Sequence, residues 1–462
     1  MESSTHSIQD MESEIFTKIC ENNRYILYIL GSTATGKSKL ALTLAEEIGG
    51  AIVNCDSMQL YKGGGIMTAK PSPEEQSIVP HYLYGYLETD IRDYNVNQWY
   101  SKALEAILEI VNCGKVPIIC GGTFYYAQKL LYDTYIEDLQ REEADPSQIQ
   151  QAVESLEVDF KQKVLELHEY LLNEYWESLP EDHETYHYKE EGLFNDEICY
   201  ELLKIIDKES SDFYKLQDHR RVCNALRKFY LNRGKVLTSD YIKYQKIKLR
   251  FPSVVIKLKV EPDLLLERVA SRAKNMLYQV ISIDGQHSSG LSEILEVFTD
   301  YEERKLTEED FKKGILQSIG YKEFYPLYNL LSTEEKKHYV QSIRDLSTSS
   351  GIGKPCRNPL DSLREQLESD NAIKKCIDEC IEKLIIKTKN YAKYQNKMLK
   401  KLRACIFYEY LRTKSNTENM ISDCTEFIRT INTQLEDAQS TDMLYEPIKF
   451  NTKPTPLPEP PA

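Results

Sequence analysis

Tyr25-Ile26-Leu27-Tyr28-Ile29-Leu30 runs directly into Gly31-Ser32-Thr33-Ala34-Thr35-Gly36-Lys37-Ser38, and the reading of this junction decides the fold. The first six residues form a short apolar run, the mark of a strand buried on both faces. The next eight fit the spacing G-x-x-x-x-G-K-[ST] of a phosphate-binding loop. The glycines let the backbone curl so that its N–H groups converge on an anion. Lys37 adds a mobile cation, and the hydroxyl of Ser38 is a ligand suited to magnesium. From Ser38 to Glu47 the apolar residues Leu40, Ala41, Leu44 and Ala45 fall at helical spacing, so the helix N-terminus adds its positive end to the site. Gly31, Thr33, Ala34, Thr35, Gly36, Lys37 and Ser38 are therefore the expected anion ligands.

Working outward, Ala51-Ile52-Val53 reads as a second strand ending at Asp56, Tyr82 to Leu87 as a third, Val116 to Cys120 as a fourth and Ser253 to Leu258 as a fifth. Helical stretches such as Asn97 to Val111 lie between them. Short buried strands alternating with helices indicate an α/β fold, a parallel sheet of the P-loop NTPase kind with helices on both faces. The organisation expected is a flexible N-terminus over 1–20, the first part of the core over 21–133, an acidic helical insertion over 134–213 and the second part of the core over 214–330. A C-terminal helical region over 331–430, with a loop at 347–359, and a Pro-rich tail over 431–462 complete it.

Composition bounds the function. No run of about 18 apolar residues exists, so no membrane span is expected. The start of the chain has neither the basic, apolar character of a secretory signal nor the Arg content of a transit peptide. The eleven cysteines are odd in number and scattered. Cys376 and Cys380, the one close pair, have no nearby histidines in sequence, which points to reduced thiols rather than disulfides or a zinc site. These features point to an intracellular protein; the expectation is a cytoplasmic monomer, with mitochondrial or nuclear pools also allowed. The net charge of −15 counts against a nucleic-acid partner. Its distribution counts the other way, because basic residues crowd 215–250 and 374–403, where a local patch can attract phosphate.

In a parallel sheet the carboxyl ends of the strands face the ligand crevice. Asp56, in Asp56-Ser57-Met58-Gln59-Leu60-Tyr61, therefore lands near the phosphate loop, as a base, a magnesium partner or simply a cap on the following turn. That string after such a loop resembles the tRNA isopentenyltransferase (tRNA dimethylallyltransferase) family. Further blocks follow in the family's order: Thr68-Ala69-Lys70-Pro71 with Val79-Pro80-His81, Gly121-Gly122-Thr123-Phe124-Tyr125-Tyr126, and Asp218-His219-Arg220-Arg221-Val222. After them come Arg268 and Arg272 before Met276-Leu277, Gly314 to Glu323 with Gln317-Ser318-Ile319-Gly320, and Thr388 with Tyr391-Ala392-Lys393 and Gln395.

The resemblance implies transfer of a dimethylallyl group from its diphosphate to the N6 amine of the adenosine just 3′ of the tRNA anticodon. It implies Asp56 as the base, with Thr123, Arg272, the loop amides, Lys37 and a magnesium ion at Ser38 stabilising the leaving diphosphate. Gln59 has amide groups suited to an adenine edge. Arg220, Arg221, Gln317, Lys322 and Lys393 are the contacts to tRNA that the resemblance favours, over the plainer readings of a solvated helix for Arg220 and Arg221, a helix terminus for 317–323 and a surface helix for 387–403. Tyr82, Asn224, Lys389, Tyr394 and Met398 depart from the family pattern, all on the presumed RNA side. No C-terminal C-x-x-C with paired histidines is present, so the chain reads as a eukaryotic-type member without a zinc finger. The rival readings are an adenylate isopentenyltransferase acting on free AMP, ADP or ATP, a small-molecule kinase, and an RNA-binding protein that has lost activity.

Overall fold

The computed structural model describes residues 7–133, 153–154, 156–173, 195–231, 248–278, 280–283, 286–299, 301, 306–308, 310–345, 370–402, 404, 406–438, 441 and 444. Helix α1 (Ile8–Glu21) opens the chain with a capping box in which Ser7 and Asp10 satisfy each other's backbone N–H groups. Its buried face, Met11, Ile15 and Ile19, lies against a later helix, so the segment expected to be flexible is anchored by apolar burial.

Strand β1 (Ile26–Gly31) leads through the loop into α2 (Lys37–Ile48), which turns Leu40, Ala41, Leu44 and Ala45 inward. Gly36 caps that helix at φ 103°, a left-handed conformation that a side chain would strain. Strand β2 (Gly50–Cys55), helix α3 (Pro73–Ile78) and the two-residue strand β3 (His81–Tyr82) follow. The third strand expected over 82–87 is thus almost absent. Main-chain bonds from Gly85 to Gln59 and from Leu87 to Leu60 tie that stretch to the Asp56 turn instead of to the sheet. Helix α4 (Val96–Asn112) is the partner of α1, and strand β4 (Val116–Gly121) runs into α5 (Phe124–Leu131) and β5 (Tyr132–Asp133).

The residues described between 153 and Leu231 form a separate compact unit of helices α6 (Val158–Asn173), α7 (Asp196–Ile206), α8 (Lys208–Phe213) and α9 (His219–Leu231). Its own core joins Val164, Leu167, Ile198, Leu202, Val222, Leu226 and Phe229. Helix α9 belongs to this unit because its apolar stripe packs on α7. The boundary expected at 213 therefore moves past Leu231.

The first unit resumes with β6 (Lys248–Leu249), paired to β5, then β7 (Ser253–Val260) and α10 (Pro262–Tyr278). A short hairpin, β8 (Ile281–Ile283) and β9 (Gln286–Ser288), precedes helices α11 (Gly290–Thr299), α12 (Tyr321–Leu330), α13 (Thr333–Arg344) and the long α14 (Asn371–Leu399). Strand β10 (Ile406–Arg412) and helix α15 (Met420–Ala438) complete the described chain. The loop 347–359 and the Pro-rich end of the tail lie outside the described residues.

The main sheet has six parallel strands in the order β10-β7-β1-β4-β2-β3. This is the α/β architecture expected, with one correction: β10 was read as part of a helical region. Its half-exposed, mixed composition hides it, as befits an edge strand with one neighbour. Register then does the positioning. Leu30 of β1 and Cys55 of β2 both stand beside Gly121 of β4, so the loop after β1, Asp56 and the Gly121-Gly122 turn emerge at one level of the sheet. A Cβ on Gly121 would lie 2.0 Å from the Cys55 carbonyl oxygen, so only glycine permits this approach.

Candidate active site

A cavity of about 260 Å³ opens at these strand ends. Its lining combines polar groups, Thr33, Lys37 and Ser38 of the loop with Asp56 and Arg272, and apolar ones, Val269, Ala273 and Met276 of α10 with Leu384 of α14. Gln59, Thr68, Ala69, Gln317, Thr388, Tyr391 and Gln395 border it as well. With Gly121 also on its border, seven sequence blocks that lie far apart in the chain therefore meet around one space.

The phosphate loop is braced from outside itself. Thr33 N–H donates to Gln395 Oε1 at 2.9 Å, Arg268 Nε donates to the Ala34 carbonyl at 2.7 Å, and Thr35 Oγ1 donates to the Ser32 carbonyl at 2.9 Å. Ala34 is held at φ 63°, a left-handed geometry such bracing can sustain. Lys37 Nζ donates to the Ser32 carbonyl at 2.8 Å. Burial lowers the Lys37 pKa, opposed by the nearby Cys120 and Asp56, while Arg272 adds to the lowering. Arg272 is also lowered by burial and raised by Asp56. A second opening of about 620 Å³, lined by Gly36, Lys37, Ser38, Lys39, Arg268 and Arg272, continues the basic surface on the other side of the loop. Two half-buried cations and one half-buried carboxylate thus face a common space, where an added anion would be favoured.

Asp56 is walled by protein yet borders the cavity. Its Oδ1 accepts from Met58 N–H at 3.1 Å, so it does cap the following turn, the modest role foreseen for it. Burial raises its pKa above the ordinary aspartate value, and the Met58 N–H, Lys37 and Arg272 pull it back. The carboxylate is consequently a stronger base than a solvated aspartate. Asn54 positions it: Asn54 Oδ1 accepts from Asp56 N–H at 2.9 Å, and Trp99 Nε1 donates to the Asn54 carbonyl at 3.0 Å.

Thr123 sits elsewhere than expected. It does not border the cavity; its Oγ1 accepts from Ser57 N–H at 3.1 Å, and its own N–H donates to the Cys55 carbonyl at 3.1 Å. It clamps the Asp56 turn against β4. Gln59 is also partly committed, because its Nε2 donates to the carbonyls of Thr68 and Ala69 at 2.9 and 3.0 Å. That leaves its oxygen to accept from a ligand. The turn carrying Thr68 and Ala69 is fixed by Glu293, whose carboxylate accepts from Ile66 and Met67 N–H.

Gln317 borders the cavity, whereas Lys322 is exposed and paired to Glu308, and Lys393 is exposed on α14. Arg220 and Arg221 stand on α9 in the separate helical unit, where Arg221 pairs with Asp218 at 3.0 Å. For the magnesium expected at Ser38, the donors present are the Ser38 hydroxyl and the Asp56 carboxylate on the same cavity, hard oxygen ligands that fit such an ion together with phosphate oxygens.

Sequence reasoning did not assign a site role to Gln395, Tyr84, Met67, Val269 or Leu384. The apolar residues carry no signal that separates a cavity wall from a core. Gln395 does carry one: a fully buried amide on the same helix as buried Ala392, Met398 and Leu399 must have polar partners. It has two, since its Nε2 also donates to the Gly122 carbonyl at 3.2 Å. Replacing Gln395 with Ala is expected to cost about 1–3 kcal/mol of stability, read by urea unfolding. Gln395→Glu retains the acceptor for Thr33 but brings a negative charge to the loop, and should weaken anion binding more than the Ala variant. Equal losses in the two would mean that Gln395 acts through packing alone.

The family profile described as "IPP transferase" matches residues 59–402. A protein of Saccharomyces cerevisiae named tRNA dimethylallyltransferase is 25% identical over 386 residues, 83% of this chain and 69% of that one. A protein of the same name from Staphylococcus aureus strain MRSA252 is 30% identical over 332 residues, 71% of this chain and 87% of that one. Among solved structures, that of a eukaryotic dimethylallyltransferase acting on tRNA superposes with a TM-score of 0.55 at 22% identity, covering 90% of this chain and 85% of the other, a likeness of fold. With Gln59, Arg272, Gln317 and Gln395 all inside the matched span, this chain belongs to the IPP transferase family.

Proposed function

We propose that this chain is a tRNA dimethylallyltransferase: it transfers the dimethylallyl group of dimethylallyl diphosphate to the N6 amine of the adenosine 3′-adjacent to the anticodon, releasing diphosphate. The observation that carries this reading is the mixed lining of the cavity. Lys37, Ser38 and Arg272 in its lining suit a diphosphate, while Val269, Ala273, Met276 and Leu384 in the same lining suit a five-carbon branched alkene.

The amine is a poor nucleophile because its lone pair is delocalised into the adenine ring. Asp56 is placed to take its proton as the new C–N bond forms at C1 of the donor and the C1–O bond breaks. Negative charge then grows on the departing diphosphate, and the loop amides, Lys37 and Arg272 stabilise it. A magnesium ion held by the Ser38 hydroxyl and the phosphate oxygens would supply further charge neutralisation. Thr123 acts as a positioning residue through the Ser57 turn. The target base must leave its stack to reach Asp56. The free oxygen of Gln59 can then accept from an adenine N–H, and Gln317 lies at the same rim. Basic residues of α14, among them Lys393, with Lys322 and the Arg220-Arg221 pair of the helical unit, are the groups suited to the tRNA backbone.

Transfer of labelled dimethylallyl from its diphosphate tests the reading, with three acceptors in parallel: an anticodon stem-loop with adenosine 3′ of the anticodon, the same RNA with guanosine at that place, and free AMP. Label in the first alone is expected. Label in AMP would move the protein to the adenylate branch, and label in none, with ATP turnover on a small metabolite, would make it a kinase. No described helix is long and apolar enough to cross a membrane.

A further inference from the structure

The helical unit holds a cluster of a different chemistry. Cys199 on α7 and His219 and Cys223 on α9 are all buried, and one ligating atom from each lies within 4.8 Å of the other two. His219 Nε2 stands 3.4 Å from Cys223 Sγ. We propose that Cys199, His219 and Cys223 bind a thiolate-preferring divalent metal of the zinc class, and that this metal fixes α7 to α9.

The geometry supports this in three ways. A tetrahedral zinc with Zn–S of about 2.3 Å and Zn–N of about 2.0–2.1 Å places its sulfur and nitrogen ligands about 3.5 Å apart. The observed 3.4 Å is within a tenth of an ångström or so of that value. His219 and Cys223 are four residues apart on one helix, so both point from the same face, and Cys199 closes the triangle from the neighbouring helix. On the far side of the ring, His219 Nδ1 lies 2.7 Å from Asp196 Oδ1, one turn before Cys199. Neither atom has a well-aligned hydrogen bond among the described residues. A carboxylate behind a histidine is the arrangement that fixes the ring and leaves Nε2 for a metal. The pattern in sequence is Asp196-x-x-Cys199 followed by His219-x-x-x-Cys223. The expectation of plain reduced thiols missed it, because the histidine comes from a helix twenty residues from Cys199.

Two thiols, one imidazole and a water or other small fourth ligand make a borderline-soft donor set, which favours zinc over magnesium or calcium. Binding replaces two thiol protons with the metal, so about two protons are released per ion. No oxidation is involved. The site is distinct in chemistry from the magnesium expected at the phosphate loop.

The test uses the full-length protein purified without chelator. Elemental analysis is expected to find about one zinc per chain, retained on gel filtration. Replacement by cobalt should give thiolate-to-metal charge-transfer absorption together with the intense visible bands of a tetrahedral site. Cys199→Ser and Cys223→Ser should each lose the metal. His219→Cys should keep it, since a third thiolate substitutes for the ring, and this variant guards against loss by misfolding. Removal of zinc by a strong chelator should lower the unfolding temperature of wild type but leave that of the Cys199→Ser variant unchanged. Folded wild type that stays metal-free in excess zinc, with both thiols titratable under denaturing conditions, would overturn the proposal and leave a buried polar cluster. Two fewer thiols than expected before reduction, again without metal, would overturn it in favour of a Cys199–Cys223 disulfide.

Discussion

Asp56→Asn is expected to lower the transfer rate roughly 10²- to 10⁴-fold, the usual contribution of a positioned general base. The variant keeps the shape of the side chain and an acceptor for the Met58 N–H, so the turn after β2 survives. Donor binding should be unchanged or tighter, because a negative charge facing Lys37 and Arg272 is removed from the site of an anionic ligand. Wild-type activity should fall as pH drops through the raised Asp56 pKa, so its acid limb lies above that of an ordinary aspartate. The sign for stability is opposite to that of a salt-bridged carboxylate. The folded state holds the Asp56 proton more tightly than the unfolded chain, so stability falls as pH rises from the unfolded value to the folded one. At neutral pH the neutral Asn variant should therefore melt no lower than wild type, and higher if burial dominates. Single-turnover rates with pre-bound donor, set beside melting curves, decide the matter. Near-normal turnover in the Asn variant would remove Asp56 as the base.

Lys37→Ala is the second large effect. A charge-assisted hydrogen bond to phosphate contributes about 1.5–3 kcal/mol, which converts to a donor Kd raised about ten- to 150-fold. The rate with bound donor should fall as well, because charge on the diphosphate grows towards the transition state. A general collapse of the fold is not expected. The folded-state pKa of Lys37 is depressed, chiefly by burial, so its charge costs stability in the empty protein at any pH below that depressed value. Equilibrium dialysis with labelled donor reads the first quantity, and an unchanged Kd would sink the assignment of the loop.

The phosphate loop and its flanking strand and helix were legible because each residue there answers a local demand: a buried strand needs apolar side chains, and a tight anion nest needs glycine. Asp56 was legible from its place at a strand end. What sequence could not show was anything decided by tertiary bonds. Thr123 looks like a ligand in sequence and is a clamp in space, because the Ser57 N–H reaches its hydroxyl first. The stretch 82–87 has the aromatic content of a strand but bonds to the 59–60 turn. Strand β10 lacks the apolar run of its neighbours since one edge of it has no strand beside it. The acidic insertion extends through α9 because an apolar stripe on that helix, invisible to charge counting, prefers α7.

The braces on the phosphate loop have a consequence for the making of the protein. Gly31 to Ser38 leave the ribosome early, but Arg268, Gln395 and Arg412, the side chains that hold Ala34, Thr33 and Thr35, come far later. At about 5–20 residues per second the loop waits roughly 20–70 s between its own synthesis and that of its last support. During that interval β1 also lacks β7, and β7 lacks β10. A nascent chain halted before Gln395 would carry a complete phosphate-binding motif held by Arg268 but by neither Gln395 nor Arg412, and donor added to such ribosome-bound chains should find no site until translation has passed β10.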